Sequence, residues 1–177
     1  MADSAGRTAD AKLRVQFIHG LESSPQSTKA MVLAKHFDAI TPAMDTTDFE
    51  SCVGVQHAEI ERFAPDVLVG SSYGGAVAVA LLERGLWHGP TLLLAQAARH
   101  YDDQAKLPTD VSVWLVHGTG DTLIPQAESR ELAATGSPDR VRYIEIEDDH
   151  PLRKHATDGS LVRWVRELHA ADLAVRG

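Results

Sequence analysis

The stretch Val67–Gly75, VLVGSSYGG, constrains this chain more than any other. Val67, Leu68, Val69 and Gly70 form an apolar run, as expected for a central parallel strand covered on both faces. A small-residue segment, AVAVALLERG, follows Gly75 without a gap and reads as a helix able to lie close to a sheet. Between them, Gly70-Ser71-Ser72-Tyr73-Gly74 fits G-x-S-x-G, a sharp strand-to-helix turn that holds a serine hydroxyl out above the sheet. The flanking glycines have a steric task, because side chains there would collide with the neighbouring strand and helix. A five-residue pattern is short, so its context must carry the weight. Here a strand precedes it and a helix follows.

The remaining elements alternate in the same way. LRVQFI (13–18) reads as a strand that ends at His19-Gly20. A helix is then expected from Pro25, behind a serine cap, with Ala30, Leu33, Ala34 and Phe37 on its apolar face. Residues 38–41 suggest a short strand. Ser51 would cap a second helix carrying Val53, Ile60 and Phe63 on one side and ending before Pro65. The elbow strand is read over 66–70, its helix over 74–84, with Gly85 as terminator. Further strands are expected at 91–95, 111–116 and 141–146, with helices from Pro125 to about Thr135 and over 160–173. The last helix has Leu161, Trp164, Val165 and Leu168 as its inner stripe. Residues 96–110 show no periodicity. Strand–helix alternation without a composition break predicts one α/β domain over 13–177 with a mostly parallel sheet, behind a disordered tail at 1–12.

Composition excludes several partners. Among 177 residues, Lys plus Arg number 17 against 25 Asp plus Glu, a net charge of −8. Nucleic acid and anionic membrane surfaces call for the opposite balance. The uncharged run Val67–Leu82 is too short to span a bilayer, so no membrane insertion is expected. Cys52 is the only cysteine and reads as a small buried residue, which rules out an intrachain disulfide. MADSAGRTADAK lacks the apolar core of a signal peptide, so a cytoplasmic location is expected. The histidines at 36, 88, 100, 117 and 169 are scattered without ligand spacing, and neither a metal nor a cofactor is expected.

A serine hydroxyl needs a base to take its proton, and the base needs a group that orients it. Asp121 follows a strand in HGTGDTLIP, and His150 follows the last strand in EDDHPL, just ahead of the final helix. His155 is the rival for the base. Asp102, Asp103 and Asp110 are weaker candidates for the acid, because none sits directly off a strand in a glycine loop. Asp148 and Asp149 read as solvated, and Glu22 as a loop glutamate. His19 reads as a residue that shapes its loop.

HG after the first strong strand, G-x-S-x-G-G, G-x-x-D-x-x-x-P and a late D-H together resemble the α/β-hydrolase family over about residues 13 to 173. The resemblance implies a three-layer α/β-hydrolase fold with Ser72 as nucleophile, Asp121 as acid and His150 as base. It implies an oxyanion hole formed by the main-chain N–H groups of Leu21 and Tyr73. The chain departs from the fuller family pattern in lacking the leading antiparallel strands, which leaves about six. The segment between Ala95 and Val111 is also too short for a helical lid. This is similar to small, capless serine esterases acting on small or surface-presented acyl substrates. A thioesterase, a peptidase-like hydrolase and an acyltransferase would use the same residues, and a non-catalytic hydrolase-like binding protein would have lost their geometry. Substrate identity and oligomeric state stay open at this level.

Overall fold

The computed structural model describes residues 12–177, so the tail expected at 1–12 falls, apart from Lys12, outside the described residues. Six strands form one sheet: β1 (Arg14–Ile18), β2 (Asp38–Ile40), β3 (Val67–Ser71), β4 (Thr91–Leu94), β5 (Val113–Gly118) and β6 (Val141–Ile146). Their spatial order is β2-β1-β3-β4-β5-β6 and every pairing is parallel. The helices are α1 (Thr28–His36), α2 (Phe49–Phe63), α3 (Tyr73–Glu83), α4 (Ala98–Tyr101), α5 (Gln126–Ala133), α6 (Arg153–Thr157) and α7 (Ser160–Arg176). The connection from β4 to β5 holds only the one-turn α4, and no helical lid covers the sheet among the described residues. None of the described helices is long and apolar enough to cross a membrane.

Side-chain alternation along the strands builds two cores. Val15, Phe17, Val67, Val69, Leu92, Leu94, Trp114 and Val116 face α1 and α7, where Leu33, Phe37, Leu161, Trp164, Val165 and Leu168 are buried. Ile18, Leu68, Leu93, Val113 and Leu115 face α2, α3 and α5, against Val53, Ile60, Val77, Leu81 and Leu132. Successive strand residues point to opposite faces, so a strand buried on both sides must be apolar at every position. All five residues of β3 are buried. From β1 the chain steps outward to β2, and from β3 it proceeds to the other edge. The helices after β1 and β3 therefore lie on opposite faces and leave a crevice at the carboxyl ends of these strands, where such sheets place ligands.

Helix starts differ from the sequence expectation. The cap of α1 is Ser27, whose hydroxyl accepts from Ala30 N–H at 3.3 Å, so the helix begins three residues beyond Pro25. Ala34 is exposed and does not belong to the buried face. The cap of α2 is Asp48, whose carboxylate accepts from Ser51 N–H at 2.9 Å, so Ser51 lies inside the first turn. Within α2, Gly54 is exposed, and a Cβ built on it meets nothing within 4 Å. Gly54→Ala is therefore expected to stabilise the fold by about 0.5–1 kcal/mol through the backbone entropy of the unfolded chain. A lower thermal midpoint for this variant would contradict the open setting of that position.

Candidate active site

At the end of β3 the backbone turns through Ser72 at φ 54°, ψ −115°, a conformation that costs a non-glycine residue of order 1–3 kcal/mol. Two close approaches hold it there. A Cβ at Gly70 would lie 2.6 Å from the Gly74 carbonyl oxygen, and one at Gly74 would lie 2.0 Å from that of Ile18. The Ser72 carbonyl accepts from the N–H groups of Gly75, Ala76 and Ala97 at 2.9, 3.2 and 3.1 Å, which ties the strained residue to α3 and to the loop after β4.

The loops after β5 and β6 are joined by main-chain hydrogen bonds. Thr119 N–H donates to Ile146 O at 2.8 Å and Gly120 N–H to Asp148 O at 3.0 Å. This zipping brings Asp121 and His150, 29 residues apart in sequence, to the serine at the centre of the sheet. Ser72 Oγ lies 2.9 Å from His150 Nε2, and His150 Nδ1 lies 2.7 Å from Asp121 Oδ2. A serine proton shared with Nε2 requires the other ring hydrogen on Nδ1, directed at the carboxylate. The second oxygen of Asp121 accepts from Leu123 N–H at 2.9 Å and Ile124 N–H at 2.8 Å.

The Asp121 side chain is fully buried. Burial pushes its carboxyl pKa up, but the hydrogen bonds from Ile124, His150 and Leu123 outweigh that and leave it below the usual carboxylate value. A carboxyl with a depressed folded pKa stabilises the fold above its unfolded pKa and loses that contribution as pH falls through the folded value. The stability deficit of Asp121→Asn is therefore expected to be largest near neutrality and to shrink under acid. Denaturant melts of both proteins between about pH 7 and about pH 3 read this directly. A deficit that stays constant or grows toward acid would contradict it.

The rival residues are placed elsewhere. His155 Nδ1 lies 2.8 Å from Asp148 Oδ2, and the ring stacks on Trp164 with centroids 5.9 Å apart. Asp148, read as solvated from sequence, has a side chain only 6% exposed, because His155 and nearby main-chain N–H groups enclose it. Asp149 pairs with Arg153 at 2.9 Å. Asp102, Asp103 and Asp110 are exposed, away from the histidine.

Leu21 and Tyr73, the expected oxyanion donors, border the same cavity as Ser72 and His150. Tyr73 is the first residue of α3, a position whose N–H has no intrahelical acceptor. The helix also turns its positive end toward this point. A Cβ at Gly20 would lie 3.5 Å from Ser72 Cβ, so the loop carrying Leu21 abuts the serine. His19 is buried, with Nδ1 2.9 Å from Gly20 O. The Tyr73 ring is buried between Phe49 and Tyr101, with centroids at 5.8 and 5.2 Å, and its hydroxyl donates to Cys52 Sγ at 3.2 Å. Burial and that thiol push the phenol pKa well above its ordinary value.

The cavity has a volume of about 900 Å³. Its rim includes the exposed side chains of Leu21, Tyr101 and Leu123, while Thr28, Lys29 and Arg153 line another part of it. Burial pushes the Lys29 ammonium pKa down, opposed by the nearby Asp149 and Asp148 carboxylates. His117, read from sequence only as one of the scattered histidines, is buried in this neighbourhood. His117 Nε2 lies 3.0 Å from Asp121 Oδ2, placed there by the first residues of the HGTGD stretch as β5 ends.

The model of an uncharacterised protein family, UPF0227, matches residues 14–92, which is less than half of the chain. No curated protein matches the sequence significantly. Solved structures do resemble it in shape. A protein from Xanthomonas campestris pv. campestris, described as a "putative hydrolase of the alpha/beta superfamily", superposes with a TM-score of 0.73 at 20% identity, covering 89% of this chain and 99% of that one. The esterase domain of a Rhodothermus marinus protein gives 0.67 at 13% identity, with 91% and 90% covered. A monoacylglycerol lipase from Paleococcus ferrophilus gives 0.66 at 13% identity, with 91% and 96% covered. The chain has the α/β-hydrolase fold in a compact form with a six-stranded parallel sheet.

Proposed function

We propose that this protein is a serine hydrolase of carboxylic esters with Ser72 as nucleophile, His150 as general base and then acid, and Asp121 as the group that orients the imidazole. The observation that carries this reading is the continuous contact from Ser72 Oγ through His150 to Asp121, at 2.9 and 2.7 Å, on a serine held at positive φ. His150 Nε2 takes the serine proton as Oγ bonds to the acyl carbon. The negative charge that develops on the carbonyl oxygen meets the N–H groups of Leu21 and Tyr73, each such donor being worth about 3 kcal/mol of barrier. The imidazolium, stabilised by the Asp121 carboxylate, returns its proton to the leaving alcohol. A water deprotonated by the same nitrogen then releases the acid and restores the serine. No step calls for a cofactor.

With no helical lid among the described residues the cavity is open, which suits small or surface-presented esters. The exposed Leu21, Tyr101 and Leu123 offer the acyl group an apolar edge.

The test is a fluorophosphonate probe followed by peptide mapping, run beside p-nitrophenyl esters, acyl thioesters and anilides of matched acyl groups. One adduct on Ser72 and preferential ester turnover are expected. An adduct on another residue, or none, would overturn the assignment of the nucleophile. Faster thioester or anilide turnover would move the substrate class while leaving the residues in place. His155→Ala is expected to keep most of the turnover, because His155 is paired with Asp148 and not with Ser72. Loss of activity in that variant with the fold intact would reassign the base.

A further inference from the structure

The hydrogen bonds around Asp121 extend one step beyond the groups used above. His117 is fully buried at the end of β5, and its two ring nitrogens face different partners. Nδ1 lies 2.8 Å from Ser129 Oγ on α5. Nε2 lies 3.0 Å from the Ile124 carbonyl oxygen and 3.0 Å from Asp121 Oδ2. Behind Ser129 stands Gln96, also fully buried, whose Nε2 donates to Ser129 Oγ at 2.9 Å. The orientation of that amide is set by its other end, because Gln96 Oε1 accepts from Ala98 N–H at 2.7 Å.

Directionality follows from the donor inventory. His117 Nε2 faces a carbonyl and a carboxylate, so the neutral ring keeps its hydrogen there and accepts at Nδ1 from the Ser129 hydroxyl, which can still accept from Gln96. The opposite tautomer would press a nitrogen lone pair against both oxygens in a buried site. Ile124 is thereby held at both ends, its N–H donating to Asp121 Oδ1 and its carbonyl accepting from His117 Nε2. The carboxylate has two main-chain donors on one oxygen, and His150 with the positive edge of His117 on the other. It cannot rotate without losing several of these at once.

We propose that His117 is a positioning residue for the Ser72–His150–Asp121 site. Held by Gln96 and Ser129, its Nε2–H fixes the 121–124 turn and so aims the Asp121 carboxylate at His150. This rests on the esterase reading above for its kinetic consequence, but not for its spectroscopic one. A simple core histidine could be exchanged for an apolar ring with no effect on Asp121.

The test combines His117→Phe, His117→Gln and Ser129→Ala with two readouts. The first is kcat and KM for an ester that the wild type hydrolyses. The second is nitrogen-15 histidine spectra, which report the His117 tautomer and the bridging Nδ1 hydrogen of His150. Misaiming the base through its partner is expected to lower kcat about 10- to 100-fold in His117→Phe while KM stays within about twofold. His117→Gln, which can return an amide N–H near the Nε2 position, is expected to recover most of that loss. In Ser129→Ala the His117 ring is expected to lose its single tautomer and the His150 resonance to broaden. A folded His117→Phe with wild-type kcat and an unchanged His150 resonance would overturn the proposal. A wild-type His117 carrying its hydrogen on Nδ1 would do the same. Should the Phe variant fail to fold, Ser129→Ala decides, and unchanged spectra and kcat there count against the relay. A wild type that shows the predicted tautomer but forms no adduct on Ser72 would sink the esterase reading and leave the positioning role standing.

Discussion

Ser72→Ala is expected to abolish fluorophosphonate labelling and to lower ester turnover by on the order of 10⁴-fold or more, with the fold unchanged. The reason is chemical and local. Removing Oγ deletes the atom proposed to bond to the acyl carbon, while alanine needs no more space and inherits the same backbone. His150→Ala is expected to have an effect of the same order, since a hydroxyl without its base is a poor nucleophile. The double variant should be hardly worse than either single one, because the two side chains act as one unit. Turnover of a p-nitrophenyl ester by the three proteins, with circular dichroism as the folding check, reads this out. Multiplicative losses in the double variant would mean that serine and histidine contribute separately.

The second large effect is expected from Gly74→Ala, and it is one of stability as well as activity. The added Cβ would lie 2.0 Å from Ile18 O, 2.5 Å from Ile18 C and 2.7 Å from His19 O, all of them main-chain atoms of the neighbouring strand and its loop. A flexible side chain could swing away from such a contact, but a strand in mid-sheet cannot. Overpacking of this kind costs about 3 kcal/mol or more. For a chain of this size that amounts to a fall in thermal midpoint of about 6–12 °C. Relief by moving α3 away from β1 would displace Tyr73 N–H from Leu21 N–H, so labelling at Ser72 should slow even below the melting range. A variant that melts like the wild type would mean that the helix and strand are not packed this closely.

Legibility from sequence followed the strength of the local signals. The strands expected at 13–18, 91–95 and 141–146 lie within a residue of β1, β4 and β6, the one expected at 111–116 is displaced by two residues in β5, and the Gly70–Gly74 spacing points to the turn found at Ser72. Helix starts were less legible, because Ser24, Ser27, Asp48 and Ser51 are all competent caps. Which of them caps is decided by where the chain leaves the sheet. The short helices α4 and α6 carry too few residues for a periodic stripe. Asp121 and His150 could be singled out because both lie just past strand ends. The pairing of His155 with Asp148 depends on how the loop after β6 folds into α6, and the burial of His117 on the packing of α5, whose Ser129 contacts both His117 and Gln96, and no spacing rule announces either.

The serine and its histidine partner occupy unequal neighbourhoods. Ser72 directly follows an interior strand with apolar cover on both faces, whereas His150 hangs from β6, an edge strand that pairs on one side only and whose residues are all at least partly exposed. Margins of a sheet open at lower free energy than its interior. Fraying of β6 alone would part the 2.9 Å contact while the turn at Ser72 stayed folded. Under mild denaturant the protein should thus pass through a state that keeps most of its helix but no longer labels at Ser72, with amide exchange faster along β6 than along β3.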